Sequence, residues 1–294
     1  MDNPFLLMLV TVTIFCLMLS MGVSHSFQQL ASLWRQPELL LRSILAVIVL
    51  VPAVVGLLLW MFELPLTVAT GLAVLAAAPG APLTYKRSQM AGGDLAYTAG
   101  LQLTLALLAV VMTPLILVIL GSLFELGAGS VKPFEVASQV AGVTFLPAMT
   151  GLIIQHFAPT IAGCIGKPLR ILADILFIIL IIVVIILLVL SPDLRMTLNL
   201  GWLPTATIIM MVASSLAIGH LLGGPSRAQR SALAIASIAR NVGLALFIAQ
   251  LSNYGENFIP TLLNYMILGG LLAVPYSVWR KRQMPYPDKG TTTG

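Results

Sequence analysis

Arg240 stands inside an apolar stretch that runs from Ser231 to Gln250, nine residues from one end and ten from the other. If that stretch crosses a bilayer, a guanidinium sits near the midplane, where a charge costs roughly 2.5–3.5 kcal/mol on insertion scales. Such a group must face protein or a water-filled cavity. Two kinds of chemistry are then open to it: recognition of an anion, or binding of backbone carbonyls at a helix break. Asn241 beside it offers both a donor and an acceptor. Ser237 adds a hydroxyl three residues earlier, and Gly243 closes the interruption Arg240-Asn241-Val242-Gly243. A second polar pair, Thr98 and Gln102, is four residues apart and so shares one helix face, either lining a crevice or tying helices together. Pro79 and Pro82 each remove a backbone donor, and Gly80 loosens the chain between them. An α-helix cannot pass unbroken through Pro79-Gly80-Ala81-Pro82. Metal-protease spacing, a nucleophile elbow and a phosphate-binding Walker sequence are all missing, so the chain is not expected to be an enzyme or an ATP-driven pump. Cys16 and Cys164 suggest neither a disulfide framework nor a metal site.

The elements that must position these residues follow from composition. Of the 294 residues, 59% are hydrophobic and only 9% charged, against about 25% charged in soluble domains. Mean hydropathy is +1.03. This is an all-α integral membrane protein, with the lipid bilayer as its solvent. Stretches long enough to cross, about 20 residues, fall at 3–24, 39–62, 66–91, 95–121, 135–157, 169–190, 202–222, 231–251 and 258–279. The first lacks the basic flank of a cleavable leader and is expected to be retained. Ile178 to Leu190 carries no polar residue and is expected to face lipid. With the N-terminus outside, the inner side receives twelve basic residues, among them Lys86, Arg87, Lys167 and Arg170, and the outer side only Lys132 and Arg195. That asymmetry predicts a cytoplasmic C-terminus in the cell (inner) membrane and an odd number of spans. Net charge of +5 therefore marks membrane edges and does not imply nucleic acid. Arg280-Lys281-Arg282 reads as a stop anchor. Asp174, the one acid inside a predicted span, has Arg170 one turn before it, which predicts a local ion pair.

The two interrupted stretches are the third and the eighth, five apart. An offset of five inverts one half relative to the other. The reading is an inverted-repeat transporter fold in a single domain: a first repeat at about 3–121 lacking one helix, a second at about 135–279, and two broken helices crossing between them. Paired broken helices in inverted halves point to a secondary transporter site at their crossing.

Several motifs then carry a resemblance. The run Leu64-Pro65, Gly71 to Pro79-Gly80, Gly93-Asp94 and Thr113-Pro114 resembles the bile acid:sodium symporter family in order and spacing, as do Met21-Gly22, Arg35-Gln36-Pro37 and Asn241-Val242-Gly243-Leu244-Ala245. The resemblance implies a core domain, a panel domain and a substrate crevice near the crossing. It also places the family's sodium ligands. The Ser-Asn pair of the family falls on Thr84 and Tyr85, and its next-helix Ser and Thr fall on Thr98 and Gln102. Its bridging Glu falls on Ala236, its Gln beside the Asn on Arg240, and an earlier Gln on Val47. One carboxylate has become a methyl, one amide an aliphatic chain and another a guanidinium. A sodium ion beside a fixed guanidinium is repelled. The expectation is therefore that Arg240 acts as a tethered cation in place of one sodium. Lys86, next to the aligned pair, either does the same at the other site or is an interfacial anchor. No cofactor is expected, and the expected cargo is a small organic anion. Two other readings stay open: a conventional sodium symporter with a rebuilt site, and a non-transporting receptor or subunit on the same fold.

Overall fold

The computed structural model describes residues 4–81, 83–126, 132–190, 200–251 and 258–283. Among these residues there are twelve helices and no strand. In chain order they are α1 (Pro4–Val23), α2 (Phe27–Trp34), α3 (Pro37–Met61), α4 (Leu66–Ala77), α5 (Thr84–Met90) and α6 (Leu95–Leu123). They continue with α7 (Pro133–Phe157), α8 (Pro159–Leu190), α9 (Trp202–Leu222), α10 (Arg227–Ile238), α11 (Val242–Leu251) and α12 (Ile259–Arg282). Five of them, α3, α6, α7, α9 and α12, are each long and apolar enough to cross a membrane. The chain from Met8 through α2 passes the same test only as a pair bent by 80°.

Sequence and structure differ at several places. The loop expected after the first span contains α2, an eight-residue amphipathic helix. Ser26 Oγ accepts from the Gln29 backbone N–H, and Gln29 Oε1 accepts from the Ser26 N–H, so the helix start is sealed in both directions. The sixth stretch begins at Pro159 rather than 169, because Pro168 lies inside α8 without ending it. Arg280 is not a free anchor. It is buried, donating through Nε to Ser231 Oγ (2.8 Å) and through Nη2 to the Arg227 carbonyl (2.7 Å), and it ties the end of α12 to the start of α10. The apolar run in α8, expected to face lipid, does so on one side only: Ile178, Ile179, Ile182 and Ile186 are exposed, but Leu180 is buried in the protein interior, because one face of the helix packs on its neighbours.

The apolar interior falls into two clusters. The smaller is built on α1, α7 and α8 around Val10, Ile14, Met18, Leu152 and Leu180. The larger gathers α3, α4, α6, α9, α10, α11 and α12. α4 from Val68 onward and the second half of α10 are buried all round, as helices apolar on every face must be. In the smaller cluster α1 and α7 touch backbone to backbone. A Cβ added at Gly22 would lie 2.1 Å from the Ala148 carbonyl oxygen, and one at Gly151 would lie 2.4 Å from that of Leu19. Small residues at such contacts let membrane helices approach closely.

α3 carries a wide turn at Leu45–Leu50. There the Val51 N–H reaches back five residues to the Ala46 carbonyl. The next donor in that register would be residue 52, which is Pro52 and has no N–H. The Val47 carbonyl is thus left without its helical partner in the middle of the larger cluster, where an unpaired acceptor is costly.

The crossing of two broken helices and the cleft beside it

α4 stops at Ala77 and α5 starts at Thr84. α10 stops at Ile238 and α11 starts at Val242. The two gaps cross, and an isolated antiparallel bridge joins Pro79 to Arg240. Ala81 N donates to the Ala239 carbonyl (3.2 Å), and Asn241 N donates to the Ala78 carbonyl (2.9 Å). Each break therefore satisfies the backbone of the other, which is what allows irregular chain inside an apolar cluster. Gly80 adopts φ +80, the left-handed region open to glycine without strain. Asn241 caps α11: its Oδ1 accepts from the Leu244 N–H at 3.0 Å.

Arg240 is 3% exposed, which places its charge inside the protein. Nη1 and Nη2 both donate to the Val47 carbonyl (3.2 and 3.1 Å), and Nη1 also donates to the Ala76 carbonyl (3.2 Å). Both acceptors are freed by prolines. Pro52 cannot serve Val47, and Pro79 ends the helix that would have served Ala76. The Tyr265 hydroxyl donates to the Ile238 carbonyl (2.7 Å) and interacts electrostatically with Arg240. Arg240 Nε has no hydrogen-bond partner among the described residues.

A cleft opens from the crossing toward the smaller cluster. It has about 110 Å³ of room for water-sized groups. Thr13, Ile14 and Leu17 of α1 and Phe177 and Leu180 of α8 form one wall. Opposite them lie Thr84, Arg87, Arg240, Asn241, Gly243 and Tyr265. Of the residues expected at the site, the cleft brings together Thr84, Arg240, Asn241 and Gly243. Thr84 turns its hydroxyl back to the Ala81 carbonyl (2.6 Å).

The others lie elsewhere. Thr98 donates to the Asp94 carbonyl (2.6 Å), so its contact with Ser88 Oγ (2.8 Å) uses the serine's proton. Gln102 is buried behind the first break, its Nε2 without a partner among the described residues and its Oε1 3.6 Å from where a Cβ on Gly80 would lie. Ser237 is buried against α9, its Oγ 2.6 Å from where a Cβ on Gly219 would sit. The Tyr85 ring meets the His25 ring edge-on at 5.0 Å. Pro79 and Gly80 are buried at the crossing, and Pro82 lies outside the described residues.

Lys86, expected either as a tethered cation at a second ion site or as an interfacial anchor, is not among the residues lining the cleft. It is half-exposed and pairs with Asp174 of α8 at 2.6 Å. The local Arg170–Asp174 pair read from spacing is therefore replaced: Arg170 donates instead to Ser24 Oγ (2.9 Å). Lys86 follows the broken helix and Asp174 the smaller cluster, so the pair bridges the two bundles. Arg87 and Tyr265 belong to the cleft but were not singled out by the sequence. Arg87 is adjacent to Lys86 and read with it as an edge anchor. Tyr265 had a signal in its polar neighbour Asn264, in the middle of an apolar stretch.

Apolar membrane-length helices around a crossing of broken ones define an integral membrane protein of the transporter kind. The model of the sodium bile acid symporter family matches residues 11–198, well over half of the chain, and the protein belongs to that family. The matched segment includes the first break and ends before Arg240. A comparison with curated proteins gives no match.

Proposed function

We propose that this protein is a nine-span secondary transporter that carries a small organic anion by alternating access, without coupling to sodium in the way usual for its family. The observation that carries this reading is the bonding of Arg240. Val47 and Arg240 are two positions where the family resemblance puts sodium-ligating amides. In the structure they meet, with the guanidinium of one on the carbonyl of the other. A cation is held there by a covalent stem. A sodium ion at roughly 4 Å would meet a repulsion of about 4 kcal/mol at an effective dielectric of 20.

The transport cycle is movement of the α1, α7 and α8 bundle against the larger one around the fixed crossing. On this reading the nine stretches are nine crossings in two inverted repeats, at about 3–121 and 135–279. The N-terminus is outside and the C-terminus in the cytoplasm. Thr84, Asn241 and the backbone at Gly243 contribute to the cargo site. Thr98, Gln102, Ser237 and Tyr85 support the elements around it.

The test is thermal stability of the purified protein in NaCl against choline chloride at constant ionic strength. A ligand that binds only the folded state raises apparent stability. The expected result is no sodium-specific shift, together with saturable anion uptake in sodium-free proteoliposomes. A saturable sodium shift would return the chain to the conventional symporter reading. No uptake of any anion would leave a fold without transport.

A further inference from the structure

Arg240 also lines the cleft, but three of its five N–H donors go to the Val47 and Ala76 carbonyls, and its Nε, without a partner among the described residues, has no accessible surface. The other guanidinium in the cleft is that of Arg87. It is half-buried on α5, one turn after Thr84, so the two share a face. Among the described residues no carboxylate pairs with it and no acceptor receives its protons; the ion pairs there are Arg42 with Glu38, Lys86 with Asp174 and Lys132 with Glu135. Of the described acids, none lines the cleft. Tyr265 also lines the cleft, with its hydroxyl donated to the Ile238 carbonyl. The remaining walls are apolar: Ile14, Leu17, Phe177, Leu180, Leu246 and Met266.

A half-buried charge without a partner is costly to the folded protein and is commonly retained for recognition. The planar fork of a guanidinium fits a carboxylate with two parallel hydrogen bonds. We propose that Arg87, and not Arg240, receives the negative charge of the cargo, with the rest of the cargo lying along the apolar α1 and α8 wall. This rests on the anion-carrier reading above. A ligand so placed touches Arg87 on the larger bundle and Ile14, Leu17 and Phe177 on the smaller one, so its binding is felt by both halves of the cleft.

The probes are monocarboxylates from acetate through benzoate to cholate, each set against its neutral amide. The readouts are melting temperature of the purified protein and uptake by proteoliposomes. At least one carboxylate is expected to stabilise the wild type, at concentrations where its amide does not. Arg87→Gln is expected to weaken that carboxylate about tenfold or more, as loss of a charge-assisted hydrogen bond does, and to erase the preference over the amide. Arg87→Lys restores the preference in part. Arg282→Gln, an exposed cation at the end of α12, leaves it unchanged. Arg87→Gln without ligand melts at or above the wild-type temperature, which separates lost binding from lost folding.

The proposal is overturned if no carboxylate shifts the wild type, if carboxylate and amide act alike, or if Arg87→Gln keeps the wild-type KM and selectivity. None of these outcomes touches the sodium series, so the two readings fail separately.

Discussion

At the scale of single residues, the molecule is organised by carbonyls that two prolines leave open. Pro52 lacks the N–H that the Val47 carbonyl needs, Pro79 ends the helix that would have served Ala76, and one guanidinium donates to both carbonyls. Arg240→Met should therefore strand the Val47 and Ala76 oxygens in the core, at about 1–3 kcal/mol each. The check is a thermal or denaturant unfolding curve in detergent, and a variant as stable as the wild type would show that the carbonyls find other donors. Pro52→Ala adds an N–H in register with Val47. Combined with Arg240→Met it should recover part of the loss, and a double-mutant cycle reads that coupling directly. Arg240 and the break beside it were legible in the sequence, because a charge in an apolar stretch must have a reason. Its partners were not. Val47 is apolar, and its role lies in a backbone atom whose availability depends on a proline five residues later. Arg87 was hidden differently. Two adjacent cations look like one edge anchor, and nothing in their order tells that one turns to Asp174 and the other into the cleft.

At the scale of elements, the stretches read from hydropathy correspond closely to helices, and the two interruptions fall where the helices break. What the sequence left out are features set by partners. α2 is short and half polar, so no apolar run announces it, although Ser26 and Gln29 hold its capping box in plain view. Arg280 looked like an anchor because its partners, Ser231 and the Arg227 carbonyl, are some fifty residues away in sequence. The smaller bundle depends on the contact of α1 with α7. Gly151→Ala places a methyl against the Leu19 carbonyl and the Val23 and Gly22 backbone, and backbone cannot swing aside as a side chain can. A loss of about 1–3 kcal/mol is expected, read as a lower melting temperature. Gly163→Ala on the open face of α8, where an added Cβ meets nothing within 4 Å, should be neutral. Equal melting of the two variants would mean that α1 and α7 separate easily.

At the scale of the whole molecule, one ion pair among the described residues joins the two bundles. Lys86 and Asp174 are partly exposed, with side chains 52% and 33% accessible, so their attraction adds at most about 1 kcal/mol to stability. Their position matters more than their strength. If transport is a movement of one bundle against the other, this contact must open in each cycle. Lys86→Cys with Asp174→Cys, joined by a short cleavable thiol-to-thiol cross-linker that spans the length of the lost lysine, should halt uptake and release it on cleavage, while either single change leaves uptake running. Uptake that continues in the cross-linked pair would show that the bundles do not part there. The crossing itself has a further consequence under the carrier reading. A cation bonded to the chain can be delivered to neither side of the membrane. Arg240 moves no current of its own and draws on no salt gradient. Net flow would then follow the cargo's own electrochemical difference, its concentration ratio together with the pull of the membrane voltage on its negative charge, about 2.3 kcal/mol per charge per 100 mV, and such a protein behaves as a valve that runs in either direction.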